Sequence, residues 1–224
     1  MNFRVLVVGG TGQVGSALVR ALLAAKECTE VVMVNRRTIV LAGDARLRQV
    51  IMDTGAPGFA SEVTELAKTC IAQGEPVYAA SCIGIGAGSA KWSEEDIRKL
   101  EIGLVGAFAR GCLAAGIEQF GLLSAAGSSA RSWIRYARIM GEKEDAVRSL
   151  GFKRLSIFCP GIIAGNAHTP RALAVLGRLI RGSFGTIDQD DIGRAFVREF
   201  IDGQDGVTML ENAAMKQRAR AHES

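Results

Sequence analysis

Two side chains in this sequence, Ser124 and Tyr136, stand twelve positions apart and could together manage a proton at a carbonyl group. A tyrosine hydroxyl can hand its proton to a carbonyl oxygen as hydride reaches the carbon. A serine hydroxyl can hold that oxygen by hydrogen bonding. A free phenol titrates near ~10, so work near neutral pH calls for a cation beside it. Residue 140, one helical turn on, is methionine, and a thioether cannot lower a phenol's pKa. Lys143 stands at i+7 on the same face, about 10 Å along a helix axis, and its side chain would point back toward the helix start. Arg135 and Arg138 fall on other faces. An acid–base role and a packing role for Tyr136 both stay open. Other chemistries have less to build on. There are two histidines, His168 and His222, and five widely spaced cysteines with no Cys-x-x-Cys pair. No metal site or histidine triad is expected, and the thiols read as reduced and mostly buried.

The segment Gly9-Gly10-Thr11-Gly12-Gln13-Val14-Gly15 carries a different chemistry. Gly10, Gly12 and Gly15 fit G-x-G-x-x-G, while Gly9, Gly12 and Gly15 fit G-x-x-G-x-x-G. Both spacings suit a turn between a strand and a helix, where free N–H groups and the helix dipole face a pyrophosphate. No Gly-Lys-Ser/Thr follows, so a nucleoside-triphosphate loop is not indicated. Where an NAD site places a carboxylate for the ribose hydroxyls, this chain has Asn35-Arg36-Arg37. Two guanidiniums there would bind a 2′-phosphate, so NADP(H) is favoured over NAD(H). Asp53 could face the adenine edge or serve as a turn or helix cap.

Apolar runs and helical periods alternate along the chain. Strands are expected at Phe3–Val8, Val31–Asn35, Leu47–Met52, Pro76–Cys82, Phe120–Ser124 and Arg154–Phe158, with a last short one at Val207–Leu210. Helices are expected at Val14–Ala25, Ser61–Ala72, Glu94–Ala115, Ser132–Leu150, Arg171–Arg181 and Asp190–Phe200. This βαβα order predicts an α/β, doubly wound parallel sheet, a Rossmann fold, beginning 3-2-1-4-5-6. Residues 1–224 form one domain in this reading. Residues 1–160 would be the dinucleotide-binding core, and 161–224 a short helical extension closing a small substrate lobe. The loop Ile162–Thr169 would edge the pocket.

Length and composition set outer limits. The chain has 224 residues, is 48% hydrophobic and carries a net charge of +4. Its basic residues are dispersed, so nucleic acid is not an expected partner. No apolar run reaches the ~18–20 residues of a membrane span. The first apolar run ends at once in glycines rather than in a leader layout, which predicts a cytoplasmic protein. The basic tail from Met215 reads as a frayed or solvated helix end.

These features resemble the short-chain dehydrogenase/reductase superfamily, and within it the atypical branch that contains the HIV Tat-interacting protein. The likeness runs from the glycine loop to near the C-terminus. It rests on that loop, Asn35-Arg36-Arg37-Thr38, Ser81-Cys82-Ile83-Gly84, Leu122-Leu123-Ser124 and Tyr136. It continues through Gly141-Glu142, Pro160-Gly161-Ile162-Ile163 and Leu210-Glu211-Asn212-Ala213. The resemblance implies NADPH at the loop with Arg36 and Arg37 on its 2′-phosphate. It implies Ser81, Cys82, Ile83 and Gly84 beside the cofactor, Pro160, Ile162 and Ile163 bordering the nicotinamide, and Ser124 with Tyr136 as the active serine and tyrosine. Ser81 and Cys82 have an ordinary alternative as small residues that let a helix pack. Met140 stands where the family has lysine, and the segment 54–75 fits the family poorly and reads as a local insertion. Two functions follow: an NADP-dependent oxidoreductase of a small carbonyl or alcohol, or a cofactor-binding regulatory protein with little turnover. A nucleotide-sugar epimerase shares the fold but wants a larger substrate domain. A homodimer through the two long helices and a protein partner both stay open.

Overall fold

The computed structural model describes residues 1–40, 43–85, 91–164 and 182–220. The main sheet has seven strands in the order β3-β2-β1-β4-β5-β6-β9. These are β1 (Phe3–Val8), β2 (Cys28–Asn35), β3 (Leu47–Ile51), β4 (Val77–Ser81), β5 (Gln119–Leu123), β6 (Arg154–Cys159) and β9 (Gly206–Glu211). Every neighbouring pair is parallel. Parallel pairing demands a crossover after each strand, and the helices of those crossovers cover both faces. β1 shows the consequence in its side chains: Leu6 and Val8 enter one apolar layer, and Phe3, Val5 and Val7 the other.

One layer is closed by α1 (Gln13–Ala24) and α6 (Gln189–Asp202), which pack on each other. In α1, Val14, Leu18 and Leu22 recur every fourth residue and are buried, the spacing that gives a helix one apolar face. The helix α6 is capped by Asp188, whose side chain accepts from the Asp190 N–H at 2.8 Å. It buries Ile192, Phe196 and Phe200. The opposite layer is closed by α2 (Phe59–Ile71), α4 (Val105–Ala114) and α5 (Arg135–Arg148). Segment 54–75, which fits the resemblance poorly, contributes to the core through the helix expected at Ser61–Ala72. It holds the crossover helix that β3 needs to reach β4, and it buries Phe59, Val63, Ala67 and Cys70.

Three features differ from the expectations above. The expected helix Glu94–Ala115 is interrupted: α3 (Glu94–Arg98) runs into a π-helical stretch, Lys99–Leu104, before α4. Periodicity cannot separate 3.6 residues per turn from one wider turn. A second sheet pairs β7 (Ile162–Ala164) with β8 (Thr186–Asp188) in parallel, where no strands were expected; three-residue strands carry too little pattern to be read. The basic tail, expected as a frayed or solvated helix end, forms α7 (Asn212–Arg220), a helix with Met215 and Ala219 buried. Lys216 and Arg218 are held by Thr186 O at 2.8 Å and Glu199 Oε1 at 3.0 Å. The expected helix Arg171–Arg181 and most of the pocket-edge loop lie outside the described residues.

Candidate active site

The glycine segment is a cradle made by backbone contact. Gly9 has a φ of +79°, and a Cβ there would stand 2.7 Å from the carbonyl carbon of Cys82 and 2.8 Å from Ile83 N. A Cβ on Gly15 would fall 2.0 Å from Gly9 O. The turn thus lies flush against the chain leaving β4 on one side and against the start of α1 on the other. Such closeness is open to glycine alone. It brings together the loop and the Cys82–Ile83 segment, the two stretches expected to share one cofactor. Two buried polar atoms beside the cradle, Gln13 Nε2 and Ser81 Oγ, have no hydrogen-bond partner among the described residues. Buried polar groups are rarely left so, and the pair fits a polar ligand lying across the loop.

At the end of β2 the Asn35–Ile39 turn is clamped by one side chain. Gln49 of β3 accepts from Asn35 Nδ2 and from Ile39 N, both at 3.1 Å, and donates to Ile39 O at 2.8 Å. Arg36 and Arg37 stand exposed on that turn. Asp53 serves its own turn, the alternative role anticipated for it. Its carboxylate accepts from Gly55 N at 3.0 Å.

Tyr136 opens α5, and Met140, one turn on, is only 1% exposed. Methionine at this position is packing. The cation comes from the next turn. Lys143 is fully buried, and its Nζ donates to Glu101 Oε2 at 2.9 Å and to Leu123 O at 2.8 Å. Glu101, equally buried on the π-helical stretch, accepts from Ile85 N at 2.9 Å through its other oxygen. That oxygen is also 3.5 Å from the Tyr136 hydroxyl. This is long for an O–H···O bond. Lys143 thus meets Tyr136 through a carboxylate. Sequence reasoning missed Glu101, although a signal existed: Ile97, Glu101 and Val105 recur every fourth residue, and a lone acid on an apolar stripe wants a buried cation.

Ser124 is also engaged. It follows β5, is 5% exposed, and its hydroxyl donates to Glu144 Oε1. Ser128 Oγ lies 3.3 Å away. Burial, the largest influence, raises the Glu144 carboxyl above its ordinary 4.5, against the lowering effects of the Ser124 hydroxyl and Arg148. A raised folded-state value means the folded chain holds the proton more tightly. The resulting stability is full below 4.5 and is lost as pH rises through the raised value. Glu144→Gln removes this titration. The variant should lose less stability than the parent between about pH 4 and pH 7, measured by urea unfolding at each pH. Superimposable pH profiles would contradict that origin.

The Pro160–Ile163 segment is held from the C-terminal side. Asn212, buried at the end of the Leu210-Glu211-Asn212 run, accepts from Gly161 N at 3.0 Å and donates to Gly185 O at 2.7 Å. Pro160 O accepts from Ala126 N at 2.8 Å, which ties this segment to the loop after Ser124. The five thiols are buried and unpaired with one another. Burial pushes Cys82 and Cys159 up to about 12, so neither is a thiolate at neutral pH. No cluster of potential metal ligands occurs among the described residues.

This parallel sheet, with its glycine cradle after β1, defines a Rossmann fold. Residues 5–74 match the NAD dependent epimerase/dehydratase family. The protein fmp52-1, mitochondrial, of Aspergillus oryzae is 31% identical over 211 residues, covering 89% of this chain and 87% of the relative. The protein fmp52, mitochondrial, of Emericella nidulans is 29% identical over 214 residues, covering 90% and 89%. The chain belongs to the Fmp52 family. Among solved structures, the Bordetella bronchiseptica enzyme WbmH in complex with NAD+ superposes with a TM-score of 0.70 at 15% identity, over 94% of this chain and 76% of that one. The oxidoreductase ylbE of Lactococcus lactis gives a TM-score of 0.67 at 15% identity, over 97% and 95%. These two likenesses establish fold. The family relatives also correct one expectation: proteins alike over most of this chain are named mitochondrial, which overturns the cytoplasmic reading. No helix among the described residues is long and apolar enough to cross a membrane.

Proposed function

We propose that the chain binds NADP(H) and acts as an oxidoreductase on a small carbonyl or alcohol. The observation that carries this reading is the glycine cradle, with Gly9 and Gly15 closed to any side chain and Gln13 Nε2 beside it without a partner among the described residues. Thr11, Gly12, Gln13 and Val14 would offer backbone N–H groups to the pyrophosphate, and Gly10 its close approach. Arg36 and Arg37, presented on the Gln49 clamp, would take the 2′-phosphate. Ser81, Cys82, Ile83 and Gly84 would line one side of the dinucleotide, and Pro160, Ile162 and Ile163 the nicotinamide end. Asp53 is the weakest of the assigned contacts, since its carboxylate already serves a turn. Bound there, the dinucleotide supplies or accepts hydride. Tyr136 would give the carbonyl oxygen its proton, and Ser124 would orient that oxygen. Residues 1–160 serve the cofactor in this reading and 161–224 the substrate. The quoted motifs further support a place beside the branch containing the HIV Tat-interacting protein.

The test is NADPH consumption with a panel of small aldehydes and ketones. Turnover is expected, and Tyr136→Phe should lower it about a hundredfold or more. A specific observation favours a second reading, a cofactor-loaded protein that regulates a partner: the Ser124 hydroxyl is given to Glu144, and the residue one turn after Tyr136 is a buried methionine. NADPH binding without turnover on any carbonyl would favour that reading.

A further inference from the structure

The buried pair Lys143–Glu101 is costly and otherwise unexplained. Both side chains are at 0% exposure, 2.9 Å apart. Burying two charges rarely stabilises a fold more than an apolar pair of the same volume would. The pair also needs an unusual backbone, since Glu101 reaches inward from the π-helical Lys99–Leu104 stretch, a device that commonly marks functional positions. One Glu101 oxygen serves Lys143. The other serves Ile85 N and the Tyr136 hydroxyl.

We propose that Glu101 and Lys143 are positioning residues that replace a lysine at position 140, together fixing the Tyr136 hydroxyl proton and the pH at which that phenol ionises. The carboxylate draws the phenolic proton toward itself and disfavours a phenolate. The ammonium behind it offsets that effect and keeps the carboxylate charged and in place. This rests on the oxidoreductase reading for its purpose. In carbonyl reduction the proton on Tyr136 goes to the substrate oxygen and the hydride comes from the reduced nicotinamide. Solvent then returns a proton to Tyr136, while Glu101 and Lys143 keep their own protonation states. Among the described residues, several charges on the packed elements pair with one another. Arg138 faces Glu94 at 3.4 Å, and Arg98 bonds Glu94 and Glu142. Arg148 faces Glu144 at 3.7 Å. Arg135 lies on α5 next to Tyr136 and is unchanged in every variant below.

The sequence offers a clean probe, because it contains only two tyrosines. In a Tyr78→Phe background, the ultraviolet absorbance of tyrosinate reports Tyr136 alone, without cofactor or substrate. Glu101→Gln keeps the side-chain volume and an acceptor for Ile85 N. It should raise the ionisation constant of Tyr136 about tenfold, moving its midpoint to lower pH. Adding Lys143→Met should reverse part of that shift. Circular dichroism and unfolding curves establish that each variant is folded, and a purely structural ion pair would change those curves while leaving the midpoint still. An unmoved midpoint in folded Glu101→Gln would overturn the proposal. Calorimetry with NADPH is read separately. Binding with an unmoved midpoint defeats the positioning role alone. A moved midpoint without binding upholds the pair and defeats the oxidoreductase reading.

Discussion

Replacing Lys143 with methionine should cost about 3–5 kcal/mol of folding stability, the largest loss expected from any single substitution at this site. Methionine fills most of the space, so packing is not the cause. The cost arises because Glu101 would be left as a carboxylate at 0% exposure with no cation, and because Leu123 O would lose its 2.8 Å donor. The companion Glu101→Gln/Lys143→Met variant removes both charges and should recover a large part of the loss. Urea unfolding of the parent, both singles and the double gives the coupling energy directly. A loss below about 1 kcal/mol for Lys143→Met would show that water or another group compensates Glu101.

The second large effect concerns the cradle. Gly15→Ala places a methyl group 2.0 Å from Gly9 O and 2.8 Å from Gly10 Cα. Every obstructing atom is backbone, so no side chain can yield. The start of α1 must part from the loop, at a cost of about 3 kcal/mol, and NADPH affinity should fall beyond detection. Gly12→Ala is the control. Its Cβ would meet Gly9 O at 3.4 Å, and its backbone is ordinary extended chain. That variant should fold with little loss. Its effect is confined to how near a phosphate can come. Equal stability losses in the two variants would contradict the contact argument.

Much of this architecture is legible in the sequence because doubly covered strands announce themselves. Val5–Val8 and Val31–Val34 are unbroken apolar runs that neither a half-exposed strand nor an amphipathic helix would carry, and the glycine turn fixes where the first run ends. Once six strands, most of them apolar, are set among helices, a right-handed parallel winding leaves few sheet orders to choose from. The seventh strand, β9, shows in the four residues Val207–Leu210 and closes the edge beside β6. What escapes such reading has one common physical cause, dependence on contacts distant in sequence. Lys143 is visible as a cation at i+7 from Tyr136, but its partner lies 42 positions earlier in the chain. Glu144 resembles any surface acid on α5 until Ser124, 20 positions away, claims it. The clamp on Arg36 and Arg37 comes from Gln49, a strand residue with no motif of its own. Asn212 stands out in the sequence through resemblance alone. Its role, joining Gly161 to Gly185, emerges only when β7 and β8 are paired. The departure at Met140 is legible as a loss. Its replacement by a buried pair is not, since nothing local distinguishes a lysine that enters a core from one that stays in solvent.

The proposed function stands or falls on the dinucleotide. The most direct measurement is calorimetric titration of NADPH and of NADH into protein stripped of any co-purifying nucleotide. Tight, one-to-one binding of NADPH with markedly weaker binding of NADH is the predicted result, since the cradle holds the shared pyrophosphate and Arg36 and Arg37 hold the 2′-phosphate. Failure of the folded, stripped protein to bind either nucleotide would contradict it, leaving the glycine turn as a device for chain packing alone.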